Sequence, residues 1–200
     1  MEEAILDRLI WFRDELLRWN RKVNLTAITD PNEALEKHLV DSLSLLPYLN
    51  NRSRMLDMGS GGGFPAIPLK IACPGLEILS VDAVGKKVAF QNHVARKLNL
   101  KKFKALHARL EKLQDDEAYR DYDYVVARAF ADLGTIIGLA EPLLAKEGQI
   151  IAMKGGEGHQ ELKEKEKELA AAGLTCSRLV PLILPCSAAK RTLLFITRKT

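Results

Sequence analysis

Asp57-Met58-Gly59-Ser60-Gly61-Gly62-Gly63-Phe64-Pro65 decides the fold. The apolar run Met55–Met58 enters it as a strand that carries an acid near its end, and a helical pattern opens at Pro65. Glycine recurs between strand and helix because a backbone without Cβ turns with positive φ and lets a ligand come close. The spacing of those glycines separates the candidate ligands. A dinucleotide fingerprint, G-x-G-x-x-G, counted from Gly59 would place its third glycine at Phe64, and the register fails. Counted from Gly61 it ends on Ala66, displaced from the strand. The Gly-Lys-Ser/Thr of a P-loop is absent. D-x-G-x-G-x-G, read from Asp57 to Gly63, fits without adjustment.

Outward from this loop, short apolar runs alternate with helical patterns. The runs are Met55–Met58, Ile78–Val81, Ala105–His107, Tyr124–Ala127 and Ile150–Met153, and the helices fall near 65–72, 84–98, 131–144 and 157–172. Such alternation predicts a parallel sheet buried on both faces. Leu179–Leu184 and Thr192–Thr197 are separated only by Pro185 to Arg191, too little for a crossover helix, so they are expected to pair as an antiparallel hairpin. Upstream, Ile5, Leu9, Phe12, Leu16 and Trp19 trace one helix face, and Pro31 after Asp30 opens a second helix running to about Leu46. The expectation is one α/β domain over 1–200, in which N-terminal helices (1–50) precede a Rossmann-like core (51–200). The charge-laced helix from His159 to Leu169 carries no functional assignment.

Composition bounds the function. Hydrophobic residues make up 47% and charged residues 28%, ordinary for a globular enzyme. No window of 18 apolar residues exists, so a membrane span is not expected, and the acidic N-terminus does not read as a signal peptide. Cys73, Cys176 and Cys186 lack the close pairing of zinc sites and read as reduced thiols of a cytoplasmic protein with no metal. The net charge of +4 is modest, but its distribution is uneven. Between Asp82 and Glu111 there is no acid, while Lys86, Lys87, Arg96, Lys97, Lys101, Lys102, Lys104 and Arg109 all lie there. The stretch after Gly173 also lacks acids and carries Arg178, Lys190, Arg191, Arg198 and Lys199. These segments fit a phosphate-contacting surface as well as they fit solvated helix faces.

Asp82 closes the second strand, where a carboxylate accepts hydrogen bonds from both hydroxyls of a ribose. The competing reading is an acid that caps the following helix. D-x-G-x-G-x-G resembles the first motif of S-adenosylmethionine methyltransferases, and five parallel strands closed by a hairpin outline the class I sheet of those enzymes.

Further words narrow the resemblance: Trp19-Asn20, Val23-Asn24-Leu25-Thr26-Ala27-Ile28, His38-Leu39-Val40-Asp41-Ser42-Leu43, Leu56–Pro68, Ala127-Arg128-Ala129-Phe130-Ala131, Pro142-Leu143-Leu144 and Ala152-Met153-Lys154-Gly155. With these the chain, from about residue 15 to 155, is similar to the small-subunit (16S) rRNA guanine-N7 methyltransferases, also called glucose-inhibited division protein B. One departure is Ala83, where members often carry serine. The resemblance implies S-adenosyl-L-methionine as cofactor and 16S rRNA or the small ribosomal subunit as partner, for a monomeric cytoplasmic enzyme. It implies that Gly59, Phe64, Leu110, Glu111 and Arg128 belong to the cofactor site, to which the glycine loop adds Asp57, Gly61 and Gly63 and the second strand adds Asp82. Lys86, Lys87, Lys154, Lys190 and Arg191 are the candidates to meet RNA.

Guanine N7 carries an in-plane lone pair and no proton, so its methylation demands alignment rather than a base. In keeping with this, no Asn-Pro-Pro-Tyr follows the fourth strand and no cysteine occupies the carbon-5 methyltransferase position. Ala127-Arg128-Ala129-Phe130 stands there instead. Arg128 is the catalytic candidate, to stack on the base or to bind O6/N7 or phosphate. Phe130 packs either the base or the core, the core being favoured. Glu111 either borders the adenine or serves its own helical turn, and His38 and Asp41 lie three apart, within reach of each other on a regular helix. Two other readings stay open: a methyltransferase of a small molecule or protein side chain, and a non-catalytic nucleotide-sensing module.

Overall fold

The structure, a computed structural model, describes residues 2–199. Helix α1 (Glu3–Val23) leads into α2 (Pro31–Ala34), a π-helical turn (Leu35–Val40) and α3 (Asp41–Leu43). The core then runs β1 (Arg54–Met58), α4 (Ala66–Ala72), β2 (Glu77–Asp82), α5 (Gly85–Lys97), β3 (Phe103–His107) and β4 (Tyr122–Arg128). It ends with α6 (Leu133–Ala140), β5 (Leu144–Gly155), α7 (Gly158–Ala171), β6 (Leu174–Ile183) and β7 (Lys190–Arg198).

The strands form one sheet in the order β3-β2-β1-β4-β5-β7-β6. β1 to β5 are parallel, and β7 runs antiparallel between β5 and β6, so the C-terminal hairpin expected from the short connection is present. Alternate residues of each strand face opposite layers. Leu56, Met58, Val81, Val125 and Ile150 meet Leu133, Ile136 and Leu169 of α6 and α7. Met55, Ile78, Val126 and Ile151 meet Ala66 and Leu69 of α4 on the other face. Leu9, Phe12 and Leu16 of α1 close over Phe64, Ile67, Phe90 and Val94 as an outer layer. Burial on both faces is why β1 to β5 read as apolar runs without alternation.

Three boundaries depart from expectation for physical reasons. α6 stops at Ala140 and a 3-10 turn holds Glu141–Leu143, because Pro142 has no N–H to continue the ladder. β6 begins at Leu174, well before Leu179; as an edge strand it is only half buried, and its polar residues hid it. The second N-terminal helix opens on Asp30, whose Oδ1 accepts from the N–H groups of Asn32 and Glu33 at 2.9 and 2.8 Å, but it widens at Leu35–Val40 into a π-turn. Strand order reverses between β1 and β4, and the crevice beyond their C-terminal ends is where open α/β sheets bind ligands.

Candidate active site

The glycine loop sits at that crevice. Gly59, Gly61 and Gly63 have φ of 65°, 58° and 91°, so each glycine of the D-x-G-x-G-x-G word occupies backbone that L side chains rarely adopt. A Cβ on Gly59 would lie 2.2 Å from Cδ2 of Phe130, whereas one on Gly61 would meet no protein atom within 4 Å. The loop is tied at several points. The Ser60 N–H donates to Val81 O at 3.0 Å, and the Gly63 and Phe64 N–H groups donate to Ser60 O, each at 2.9 Å. Gln91, fully buried on α5, donates to Ser60 Oγ at 2.8 Å and Gly61 O at 2.9 Å while accepting from Ser80 Oγ at 2.6 Å. Sequence reasoning passed over Gln91. Its signal was an amide on the apolar stripe of Val88 and Val94.

Asp82 is both loop anchor and cleft wall. Its Oδ2 accepts from the Gly61 N–H and its Oδ1 from the Val84 N–H, each at 2.8 Å. The acid therefore serves the backbone on both sides, and each carboxylate oxygen keeps a further lone pair. Gly59, Val81, Asp82, Ala83, Ala108, Arg109, Leu110, Glu111 and Phe130 line a cleft of about 120 Å³. Leu110 and Glu111 reach it from a 3-10 turn after β3. Phe130, expected mainly in the core, does both: it packs against the α6 layer and forms the cleft wall over Gly59.

Of the nine residues assigned to the cofactor, Gly59, Asp82, Leu110 and Glu111 line this cleft; Gly61, Gly63, Arg128, Asp57 and Phe64 do not, and the last two are buried. Asp57 is fully buried; its Oδ2 accepts from the Ala66 N–H at 3.2 Å, and its Oδ1 has no partner among the described residues. Burial pushes this carboxyl well above the usual range, against the pull of the Ala66 N–H and Arg128. Phe64 is 3% exposed. Its ring packs against Phe12 at 5.3 Å and stacks on His38 at 4.3 Å.

Arg128, at the end of β4, is the pin that fastens the N-terminal helices to the sheet. Its Nη1 donates to Lys37 O at 2.9 Å and Asp41 Oδ2 at 3.1 Å, and its Nη2 donates to His38 Nδ1 at 3.2 Å. Its guanidinium lies 5.1 Å from the centre of the Phe64 ring. Burial lowers its pKa, which Asp41 partly restores. Because arginine only donates, His38 Nδ1 must accept, and the proton sits on Nε2, 2.8 Å from Thr26 Oγ1. Burial, then the Arg128 charge, draws the His38 pKa down to about 4. The side chains of His38 and Asp41 make no bond to each other, although the Asp41 N–H donates to His38 O; both side chains meet Arg128. Asp41 Oδ1 also accepts from Arg191 Nε at 3.2 Å, which brings β7 into the same cluster.

The residues expected to meet RNA separate into two kinds. Lys86 and Lys87 open α5, beside Asp82, and neither makes a side-chain hydrogen bond among the described residues. Lys190 is exposed at the start of β7. Lys154 donates to Ala131 O at 2.7 Å and Glu161 Oε1 at 2.9 Å and is 13% exposed, so it braces the loop that carries Phe130. Arg191 is held by Asp41 and is 23% exposed. Lys101 and Lys102 precede β3 at the opposite end of the sheet, and Lys97 ends α5. Glu36 is another residue the sequence did not single out: buried in the π-turn, it accepts from the N–H groups of Cys186 and Ser187 and ties down the β6–β7 loop. Among the described residues no helix is long and apolar enough to cross a membrane, and no cluster of candidate metal ligands occurs.

Comparison with known proteins places this geometry. Two solved structures share the fold. An O-methyltransferase from Bacillus cereus in complex with SAH superposes with a TM-score of 0.66 at 18% identity, covering 94% of this chain and 91% of that one. A ribosomal protein L11 methylase from Lactobacillus delbrueckii gives 0.60 at 20% identity, with 80% and 77% covered. Sequence relatives are much nearer. A ribosomal RNA small subunit methyltransferase G of Syntrophotalea carbinolica is 49% identical across 100% of this chain and 92% of its own length. That of Geobacter sp. strain M21 is 46% identical across 99% and 91%. The model of the GidB family, rRNA small subunit methyltransferase G, matches residues 5–191, a span holding the glycine loop, Asp82, the Leu110–Glu111 turn and the Arg128 clamp. On a class I methyltransferase fold with this span matched throughout, the chain belongs to the rRNA small subunit methyltransferase G family.

Proposed function

We propose that the protein transfers the methyl group of S-adenosylmethionine to N7 of a guanine in 16S rRNA, with the cofactor held between the glycine loop, Asp82 and the Leu110–Glu111 turn. The observation that carries this reading is the junction of loop and acid: Asp82 fixes the Gly61 amide and still offers free lone pairs at the cleft. The donor set fits a nucleoside. Asp82 suits the ribose hydroxyls, Leu110 and Glu111 suit an adenine face and edge, and the partnerless Asp57 Oδ1 behind the loop suits a cationic amine. The cleft is smaller than the roughly 300–1,000 Å³ of small-molecule pockets. Phe130 is the large apolar side chain on the lining that sits outside helix and strand, so its displacement would provide room.

When bound, S-adenosylmethionine supplies an electrophilic methyl on a sulfonium centre. The chain need not remove a proton, because guanine N7 has none. Its work is alignment and exclusion of water. Arg128 performs it by fixing the helical cap against the C-terminal end of β4, and its Nε–H and remaining Nη2–H are the donors left for the base or phosphate. Lys86, Lys87 and Lys190 are the cations free to meet RNA, while Lys154 and Arg191 act through the loops they hold. In this reading the chain is one domain and a monomer, and its three unpaired cysteines suit the cytoplasm.

The test is transfer of labelled methyl to 16S rRNA followed by digestion to nucleosides. All label is expected in 7-methylguanosine. Label in another nucleoside would reject the N7 assignment, and label in protein would reject the substrate class.

A further inference from the structure

A second cavity, of about 360 Å³, lies between α1 and α5 and is lined by Arg18, Trp19, Lys22, Val23 and His93. Glu15, Arg18, Trp19 and Lys22 recur at helical spacing, so one face of α1 supplies them all. The Trp19 ring is braced against Phe90 at 5.4 Å and His93 at 5.0 Å, and its Nε1–H donates to Glu15 Oε1 at 3.1 Å. Glu15 is 8% exposed and also takes Arg18 Nε and Nη2 at 2.7 and 2.5 Å and His93 Nε2 at 2.5 Å. A buried acid with four donors is a device for holding side chains in place, and it holds an indole, a guanidinium and an imidazole around open space. Lys22 is exposed and makes no ion pair among the described residues.

The groove points at the cleft. Arg8 Nη2 donates to Leu98 O at 2.7 Å just past the C-terminal end of α5, whereas Leu16 approaches Gly62 of the loop. α1 therefore runs antiparallel to α5, and the cavity lies in the half of the groove nearer the glycine loop. Two turns above His93 on α5, about 10 Å at the helical rise, Lys86 stands beside Asp82 at the cleft rim. No acid interrupts this helix.

We propose that the α1–α5 groove is an RNA subsite that takes one unpaired nucleotide flanking the target, its base against Trp19 and its phosphate on Lys22 and Arg18. This rests on the RNA substrate proposed above. Unpaired bases are held by aromatic stacking beside cations that track the backbone. An acidic peptide would satisfy the cations, but the acid-free α5, with Lys86 and Lys87 at its cleft end, favours a polyanion that spans both.

The test uses the full chain with Arg18→Gln and Lys22→Gln combined. KM for 16S rRNA is expected to rise about tenfold, and the logarithmic salt slope to become shallower by about 0.7–0.9 per contact removed. kcat and S-adenosylmethionine affinity should stay within twofold. In a Trp11→Phe background Trp19 is the one indole left, and its emission should change on saturation with 16S rRNA. Wild-type KM and slope in the double variant, or unchanged Trp19 emission, would overturn the subsite. A defect on assembled subunits that is absent on naked 16S rRNA would also overturn it and would assign the groove to a protein. If the parent enzyme methylates no RNA, the functional reading fails, and Trp19 emission with RNA then decides the groove alone.

Discussion

Asp82 holds the Gly61 and Val84 amides and, in the proposed function, also receives the ribose, a role that a single substitution tests. Asp82→Asn keeps size and one acceptor but loses the charge and turns an NH₂ toward one of the two backbone donors at Gly61 and Val84. Loss of a charged acceptor costs about 1.5–3 kcal/mol, so S-adenosylmethionine affinity should fall roughly 10- to 100-fold by calorimetry. Unaltered affinity would remove Asp82 from the site. Gln91 tests the loop from behind. Gln91→Leu leaves Ser60 Oγ, Ser80 Oγ and Gly61 O short of their buried partner, which should lower urea stability by about 1–3 kcal/mol. It should also weaken cofactor binding, although Gln91 does not line the cleft. Asp82 was legible in the sequence because its place is set by strand and loop. Gln91 was not, because its three partners lie on three other segments. Lys154 misled for the same reason: a lysine in a shared word looks like a ligand contact until Glu161, a turn of chain away, is seen to take it.

At the scale of elements, the π-turn and β4 act as a clamp closed through Arg128. Arg128→Lys keeps a positive charge but not the planar fork, so Lys37 O, His38 Nδ1 and Asp41 cannot all be served. Methyl transfer should fall at least tenfold, with a stability loss of roughly 1–3 kcal/mol; full activity would show that the clamp is dispensable. His38 makes the clamp sensitive to pH. Its folded pKa of about 4 lies below the ordinary histidine value of 6.5, so the unfolded chain takes up the proton first. The stabilisation is therefore whole above pH 6.5 and is lost as pH falls toward 4. The stability of the wild type relative to His38→Gln should drop by about 2 kcal/mol between pH 7 and 4.5. A gap independent of pH would show that His38 is not held neutral. The words His38-Leu39-Val40-Asp41 were visible in the sequence, but their meeting point was not. The sequence shows His38 and Asp41 three apart on one helix, but Arg128, the residue both side chains meet, comes from β4 and is distant in the chain.

Across the whole molecule, the layered core was readable because burial on two faces leaves a periodic trace, while the edge strand β6 left little. The basic bias of residues 83 to 110 was also visible, and so was its division, because Lys101 and Lys102 precede the third strand, at the opposite end of the sheet from Lys86 and Lys87. Lys86 and Lys87 flank the cleft, whereas Lys101 and Lys102 lie at the far edge. Lys86→Gln with Lys87→Gln should weaken binding to ribosomal subunits at low salt and reduce the salt slope by up to about 0.7–0.9 for each. Lys101→Gln with Lys102→Gln should change neither, and equal effects would show that charge alone, without position, governs RNA binding. The central claim is that the loop, Asp82 and the Leu110–Glu111 turn form one nucleoside site. The most direct measurement is a crystal structure of the complex with S-adenosylhomocysteine. The account predicts both ribose hydroxyls within about 3.2 Å of the Asp82 carboxylate, adenine against Leu110 and Glu111, and Phe130 displaced from Gly59. A ribose turned away from Asp82, or a cofactor bound elsewhere on the molecule, would contradict it.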